Sequence, residues 1–101
     1  MIFYKKYVII YIESENDIKL RKEMIIMEKE IINFIREEQP LTVNLIRDRF
    51  TYIYSRAKIN FFIAHLIKKG ILEQNCTITY LGEREERGYI LNEKALREEG
   101  I

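Results

Sequence analysis

The spacing of apolar residues changes abruptly at Gly70. Before this glycine, residues 55–69 place an apolar side chain every three or four positions, which is the period of an amphipathic helix. After it, residues 71–91 are rich in β-branched side chains, interrupted by the charged stretch GEREERG, and this pattern predicts a hairpin. A helix followed at once by a hairpin indicates the α+β class. The helix should bury one stripe: Ile59, Phe62, Ile63, Leu66 and Ile67.

Capping side chains mark the other helix boundaries. A short polar side chain that accepts a hydrogen bond from the first turn stabilises the start of a helix, and four residues are placed to do so: Asp17, Thr42, Ser55 and Asn92. Residues 17–38 contain no Gly or Pro and predict a long helix that ends before Pro40, because the residue preceding a proline avoids the α region. Residues 43–50 and 93–99 predict two short helices. The first of these should bury Leu45, Ile46 and Phe50.

The N-terminal segment is the part of the chain least like its surroundings. Residues 2–12, IFYKKYVIIYI, are β-branched and aromatic and predict a strand, which divides the chain into an arm at 1–16 and a domain at 17–101. The long helix carries a second apolar stripe in addition to its core-facing one, formed by Ile18, Ile25 and Ile32. A second stripe predicts a further contact, either with the N-terminal strand or with another copy of the chain. We favour a homodimer formed through the strand and the long helix.

Composition argues against several classes of function. The single cysteine, Cys76, and the single histidine, His65, exclude an internal disulfide and a zinc site built from cysteines and histidines. No glycine-rich phosphate loop or nucleophile motif is present, so we expect no catalytic residues, no metal and no cofactor. No apolar run approaches the ~20 residues of a membrane span, and the N terminus lacks the features of a signal peptide. A cytoplasmic protein that is not an enzyme is predicted.

The charge of the chain is unevenly distributed. The net charge is +1, but residues 41–70 contain six basic side chains and one acidic side chain, whereas residues 71–101 are net acidic. The middle of the chain can therefore attract a polyanion although the whole chain would not. The alternative interpretation is a solvated helix face without a charged partner.

Three local patterns follow one another between residues 28 and 99. The first, at residues 55–72, is SRAKINFFIAHLIKKGIL. It is a capped helix whose last turns contain Leu66, followed by Gly70 and then by the hydrophobic pair Ile71 and Leu72. GILEQ…GEREERGYIL forms the hairpin, and YILNEKALREEG continues from its second strand into the last helix. In this order the patterns resemble the winged helix-turn-helix family, most of all MarR-like proteins and small archaeal viral or plasmid regulators. The resemblance implies a three-helix core, a hairpin wing and a short C-terminal helix, to which this chain adds the N-terminal strand.

The resemblance also implies a function. It predicts a transcriptional regulator, a homodimer that places the helix 55–69 in the major groove of double-stranded DNA with the hairpin 71–91 as its wing. Arg56 and Lys58 are best placed for base edges or phosphates, and Asn60 is able to pair with adenine. The complete set of predicted DNA contacts is Ser55, Arg56, Lys58, Asn60, Phe61 and Lys68 on the helix, and Arg84 and Arg87 on the wing.

Two features depart from the family pattern. Phe61 occupies a position where relatives often have a polar or basic residue, and it can either contact a thymine methyl group or belong to a protein interface. The wing also carries Glu83, Glu85 and Glu86 beside its arginines, which suits a surface lying along phosphates poorly. These departures support an alternative function, a winged-helix module that binds protein without binding DNA.

Overall fold

The computed structural model describes residues 21–80 and 84–101, and the predicted strand at residues 2–12 and the N-terminal arm at 1–16 lie outside this part. The described residues form four helices and one antiparallel hairpin, which confirms the α+β class. In chain order these are α1 (residues 21–38 of the long helix), α2 (Val43–Phe50), α3 (Arg56–Lys68), β1 (Leu72–Thr79), β2 (Glu85–Leu91) and α4 (Glu93–Glu99).

Three of the predicted caps are confirmed. The side chains of Thr42, Ser55 and Asn92 each accept a hydrogen bond from the backbone N–H three residues later, at 3.1, 3.3 and 3.1 Å. Each therefore pairs one of the N–H groups that a helix start leaves without an intrahelical partner. Asp17 lies outside the described residues.

The core lies where α1, α2 and α3 meet the base of the hairpin. Residues of all three helices are fully enclosed there, including Ile31, Ile46 and Leu66. The predicted burial is wrong for Leu45 and Ile67, each of which is 38% exposed. Both lie at the edge of the buried stripe of their helix. Successive residues on a helix turn by about 100°, so Leu45 points away from its fully buried neighbour Ile46, and Ile67 points away from Leu66.

The second stripe of α1 is divided between core and surface. Ile32 is buried in the core, whereas Ile25 is 48% exposed and its neighbour Ile26 is 54% exposed. Ile18 lies outside the described residues. Among residues 21–80 and 84–101, the part of this stripe that stays exposed is therefore the N-terminal half of α1.

The hairpin is joined to the connection between α1 and α2, a contact that the sequence patterns do not predict. Leu41 and Tyr89 exchange two backbone hydrogen bonds of 3.0 and 2.8 Å, and the N–H of Leu91 donates to the side chain of Gln39 at 2.9 Å. Within the hairpin, Gly88 lies opposite Cys76, where a Cβ atom would approach Sγ to 2.6 Å. A larger side chain at this position would therefore require the Cys76 side chain to shift.

The junction between α3 and β1 is short. Gly70 adopts a positive φ of 74°, a conformation that glycine adopts without steric cost, and it ends α3. The N–H of the next residue, Ile71, donates to the carbonyl of Leu66 at 2.9 Å, and its own carbonyl accepts from the N–H of Asn92 at 2.8 Å. Ile71 is completely buried, so the start of the hairpin is part of the core.

Candidate nucleic-acid interface

One face of α3 is covered by the core and the opposite face is open. The buried side is formed by Ile59, Phe62, Ile63 and Leu66. Because successive residues turn by about 100°, the positions opposite this side are Ala57, Phe61, Ala64 and Lys68, and we call these four residues the outer face of α3. All four are exposed, and Phe61, near the middle, is 71% exposed.

The two flanks of the outer face differ in their neighbours. On one flank Lys58 lines a groove together with Met24 and Met27 of α1. On the other flank, Asn60 is hydrogen-bonded to Arg47 of α2, and Arg56 shares this flank because it lies one helical turn earlier. Arg56 and Lys58 are both exposed, so the first turn of α3 offers one cation on each side of its outer face.

The start of α3 is favourable for an anion. Ser55 is exposed and its hydroxyl serves as the helix cap, and neither α2 nor α3 has an acidic residue in its first turn. The partial positive charge at a helix start is therefore not neutralised by the helix itself. At the far end of α3, Lys68 is exposed on the outer face.

A series of hydrogen bonds connects α3 to the hairpin across α2. Arg47 Nε donates to Asn60 Oδ1 at 2.6 Å, and Arg47 Nη1 donates to Asn44 Oδ1 at 2.8 Å. Asn44 Nδ2 donates to the carboxylate of Glu86, which also pairs with Arg84 Nη2 at 3.2 Å. We call these five residues the polar chain. Through three intermediate residues it links two of the predicted contact residues, Asn60 on α3 and Arg84 just before β2.

The hairpin arginines have different surroundings. Arg84 is held by Glu86, whose side chain is turned towards α2 and is only 16% exposed. Arg87 is exposed and lines a groove with Thr42 and Asn44 at the start of α2. Glu86, one of the three glutamates that make the hairpin acidic, is thus hydrogen-bonded inside the molecule and joins β2 to α2.

The contacts of Glu86 change its acidity. Partial burial raises the pKa of Glu86, since desolvation disfavours a charged carboxylate. Four neighbours outweigh this effect and bring the pKa below its ordinary value of 4.5: the hydrogen-bonding groups of Asn44, Tyr80 and Thr42, and the charge of Arg84. A group with a lowered pKa contributes stability that is complete above the ordinary pKa and is lost as the pH falls through the lowered value. The link from β2 to α2 should therefore weaken only in acid.

The substitution Asn44→Ala should raise the pKa of Glu86, because it removes a hydrogen bond that favours the charged carboxylate. An NMR titration of the side-chain carboxyl carbons would measure this change. Asn33→Ala is the matched control, since Asn33 lies on α1 and contacts Arg36 at 3.2 Å instead of Glu86. Equal Glu86 pKa values in the two variants would show that Asn44 does not stabilise the carboxylate in solution.

Other kinds of site receive no support from the described residues. No group of three or more His, Cys, Asp or Glu side chains in residues 21–80 and 84–101 is arranged to hold a metal ion. In the same part of the chain, no helix has the length and apolar character required to cross a bilayer. No protein-family model matches the sequence and no curated protein is significantly similar to it.

The polar chain is the feature that sequence reasoning missed. Arg47 and Asn60 are 13 residues apart, and Asn44 and Glu86 are 42 residues apart. No local pattern encodes contacts at these separations. The only available signal was the basic character of residues 41–70, to which Arg47 belongs.

Proposed function

We propose that this protein is a transcriptional regulator that binds double-stranded DNA through a winged helix-turn-helix domain. The observation that carries the proposal is the outer face of α3, an exposed helix surface backed by the core and bordered by Arg56 and Lys58. In this interpretation α2, the turn at residues 51–55 and α3 form the helix-turn-helix, and the hairpin is the wing.

The dimensions of α3 support this assignment. Its 13 residues extend for about 20 Å, and the helix has a diameter compatible with the B-DNA major groove, about 12 Å wide. Ala57 and Ala64 on the outer face are small enough to permit close approach to the bases. Phe61 lies between them and can pack on a thymine methyl group.

The charged residues would surround this central contact. Arg56 and Lys58 lie at the start of α3 and would reach base edges or phosphates, while Lys68, three turns later, would reach phosphate. Arg84 and Arg87 of the wing would lie along the backbone or enter an adjacent minor groove. Since Glu86 accepts a hydrogen bond from Asn44 of α2, its carboxylate would be turned towards α2 and away from the phosphates in this arrangement.

The proposed regulator acts as a homodimer, since two recognition helices about one helical turn of DNA apart can read a two-fold symmetric site. The exposed Ile25 and Ile26 of α1 support this part, because adjacent large apolar side chains gain stability when a partner covers them.

Ile25→Asp should convert a dimer into a monomer, because it places a charge in the proposed interface. Sedimentation velocity of the full chain measures the change, with Leu45→Asp on α2 as a control that should remain dimeric. A wild-type chain that sediments as a monomer at DNA-binding concentrations would refute the dimer.

A second candidate function is protein binding by the same fold. In the turn between α2 and α3, Tyr52 is 96% exposed and Ile53 is 60% exposed, and Phe61 on α3 is also exposed. Exposed aromatic side chains are typical of the centres of protein interfaces. This function needs no positively charged border, so DNA binding distinguishes the two candidates.

Fluorescence anisotropy of a labelled mixed-sequence duplex, titrated with the wild-type chain at several salt concentrations, tests the proposal. We expect binding whose equilibrium constant falls steeply with salt, because contacts to phosphates release counterions. Absence of binding even at low salt would refute DNA binding and favour the protein-binding module.

A further inference from the structure

The middle of the outer face is apolar over about two helical turns. Ala57, Phe61 and Ala64 follow one another along it, and we call these three exposed residues the apolar strip. None of their side chains has a hydrogen-bond donor or acceptor. Phe61 is 71% exposed, although an aromatic ring gains stability when it leaves water. The strip can therefore select a partner by apolar contact and not by hydrogen bonds.

The core holds the apolar strip in a fixed position. On the opposite side of α3, Ile59 and Leu66 are 0% exposed, and Phe62 and Ile63 are each 2% exposed. With the helix backbone fixed in this way, the side chain of Phe61 has only two rotatable bonds. Its ring can be placed against a partner at a small cost in conformational entropy.

The surface beside Phe61 is concave. Phe61, Ala64, His65 and Lys68 line a hollow of about 220 Å³. The Nε2 atom of His65 lies 3.4 Å from Glu99 Oε1, so this nitrogen is directed towards α4. A water molecule, which is similar in size to a methyl group, takes up roughly 30 Å³. The hollow therefore has room for a methyl group in contact with the aromatic ring.

The border of the apolar strip is positively charged. Arg56 and Lys58 lie at its start and Lys68 lies beyond its far end, and none of the 13 residues of α3 is acidic. Such a border attracts phosphates, whereas an apolar protein surface does not require it. The partner favoured by this combination carries small apolar groups inside a frame of negative charge.

The major groove of DNA presents one such group. The C5-methyl group of thymine lies on the major-groove edge of its base pair, where an alanine or phenylalanine side chain can contact it. Uracil is thymine without this methyl group, and 5-methylcytosine is cytosine with a methyl group at the same ring position. Pairs of bases that differ by this group alone therefore isolate its contribution.

We infer that the apolar strip recognises pyrimidine 5-methyl groups and that Phe61 is its specificity-determining residue. The inference rests on the proposed DNA binding and names the base feature that the outer face selects. Residues 57–64 extend for about 10 Å, which is about three base pairs of DNA. Since the strip forms no hydrogen bonds, it selects the methyl group itself, which thymine and 5-methylcytosine both carry.

The first test starts from a duplex site that the wild-type chain selects from a randomised library. Each thymine of this site is replaced in turn by uracil, and binding is measured by competition anisotropy. Uracil should weaken binding about fourfold for each methyl group in contact, and only within about three adjacent base pairs per subunit. Uracil at other positions should change little.

Variants of the chain assign the effect to the aromatic ring. Phe61→Ala should bind thymine and uracil duplexes equally at the central position, and Phe61→Leu should retain part of the difference because it remains apolar. Tyr52→Ala is the matched control, since Tyr52 is an aromatic residue that is 96% exposed and lies outside the outer face. This variant should keep the full fourfold difference.

A second test uses cytosine at the position where uracil has its largest effect. The duplex with 5-methylcytosine there should bind about fourfold more tightly than the duplex with cytosine. Phe61→Ala should bind these two duplexes equally. Equal binding of both duplexes by the wild-type chain would overturn the inference that the strip selects the methyl group independently of its base.

The outcomes separate the inference from the proposed function. If the wild-type chain binds thymine and uracil duplexes equally at every position, the inference is overturned and DNA binding stands. The same conclusion follows if Phe61→Ala discriminates against uracil as strongly as the wild-type chain does. If the wild-type chain binds no DNA, the proposed function and the inference fail together.

Discussion

Replacing Arg56 and Lys58 together by alanine should weaken binding to double-stranded DNA about 60-fold per subunit at 0.1 M salt. Both residues are exposed in the first turn of α3, one on each side of its outer face. Each phosphate contact on B-DNA contributes roughly 0.9 to the slope of log K against log salt, which corresponds to about an eightfold gain at this salt concentration. The slope should therefore become shallower by about two units per subunit, as measured by anisotropy titrations at several salt concentrations.

A matched control distinguishes a local contact from a general effect of charge. Lys29→Ala with Lys94→Ala removes the same two positive charges from exposed positions on α1 and α4. This variant should retain nearly all of the wild-type affinity and slope. Equal losses in the two double variants would show that α3 is not the part of the chain that lies on the phosphates.

Replacing Leu66 by alanine should lower the free energy of unfolding by about 3 kcal/mol. Leu66 is completely buried on the core side of α3, so the change removes apolar contacts and leaves a cavity that the surrounding helices fill only in part. Because a small domain has a total stability of about 5–15 kcal/mol, the variant should still fold at low temperature. Urea unfolding followed by circular dichroism measures the loss.

Ile67→Ala provides the comparison on the same helix. The substitution removes a side chain of the same size from a position that is 38% exposed, and it should cost less than about 1 kcal/mol. If the slope of the unfolding free energy against urea concentration is unchanged in both variants, they unfold from the same native state. Equal costs at Leu66 and Ile67 would contradict the orientation of α3 on which the outer face depends.

The parts of the fold that depend on local chemistry could be predicted from the sequence. The caps at Thr42, Ser55 and Asn92 were located correctly, because a capping hydrogen bond joins residues only three positions apart. The hairpin followed from the change of period at Gly70, which lies within one window of sequence. These signals need no knowledge of how the elements are arranged in space.

The parts that depend on packing could not be predicted in the same way. Ile67 is as apolar as the residues around it, and only the position of the neighbouring helices decides that it lies at the edge of the stripe. The pairing of Leu41 with Tyr89 joins residues 48 positions apart in the sequence. Among the candidate contacts, Asn60 was identified by its type, but its amide orientation depends on Arg47 of a different helix.

The short junction at Ile71 ties the orientation of the hairpin to the orientation of α3. Only residues 69–71 separate the two elements, and Ile71 is bonded both to the end of α3 and to the residue that precedes α4. The eight residues of β1 extend for about 26 Å, so a tilt of about 10° transmitted through this junction displaces the far end of the strand by about 4.5 Å. That displacement exceeds the rise of one base pair, about 3.4 Å. If α3 lies in the major groove as proposed, a small change in its angle there would move the far end of the hairpin from one base pair to the next.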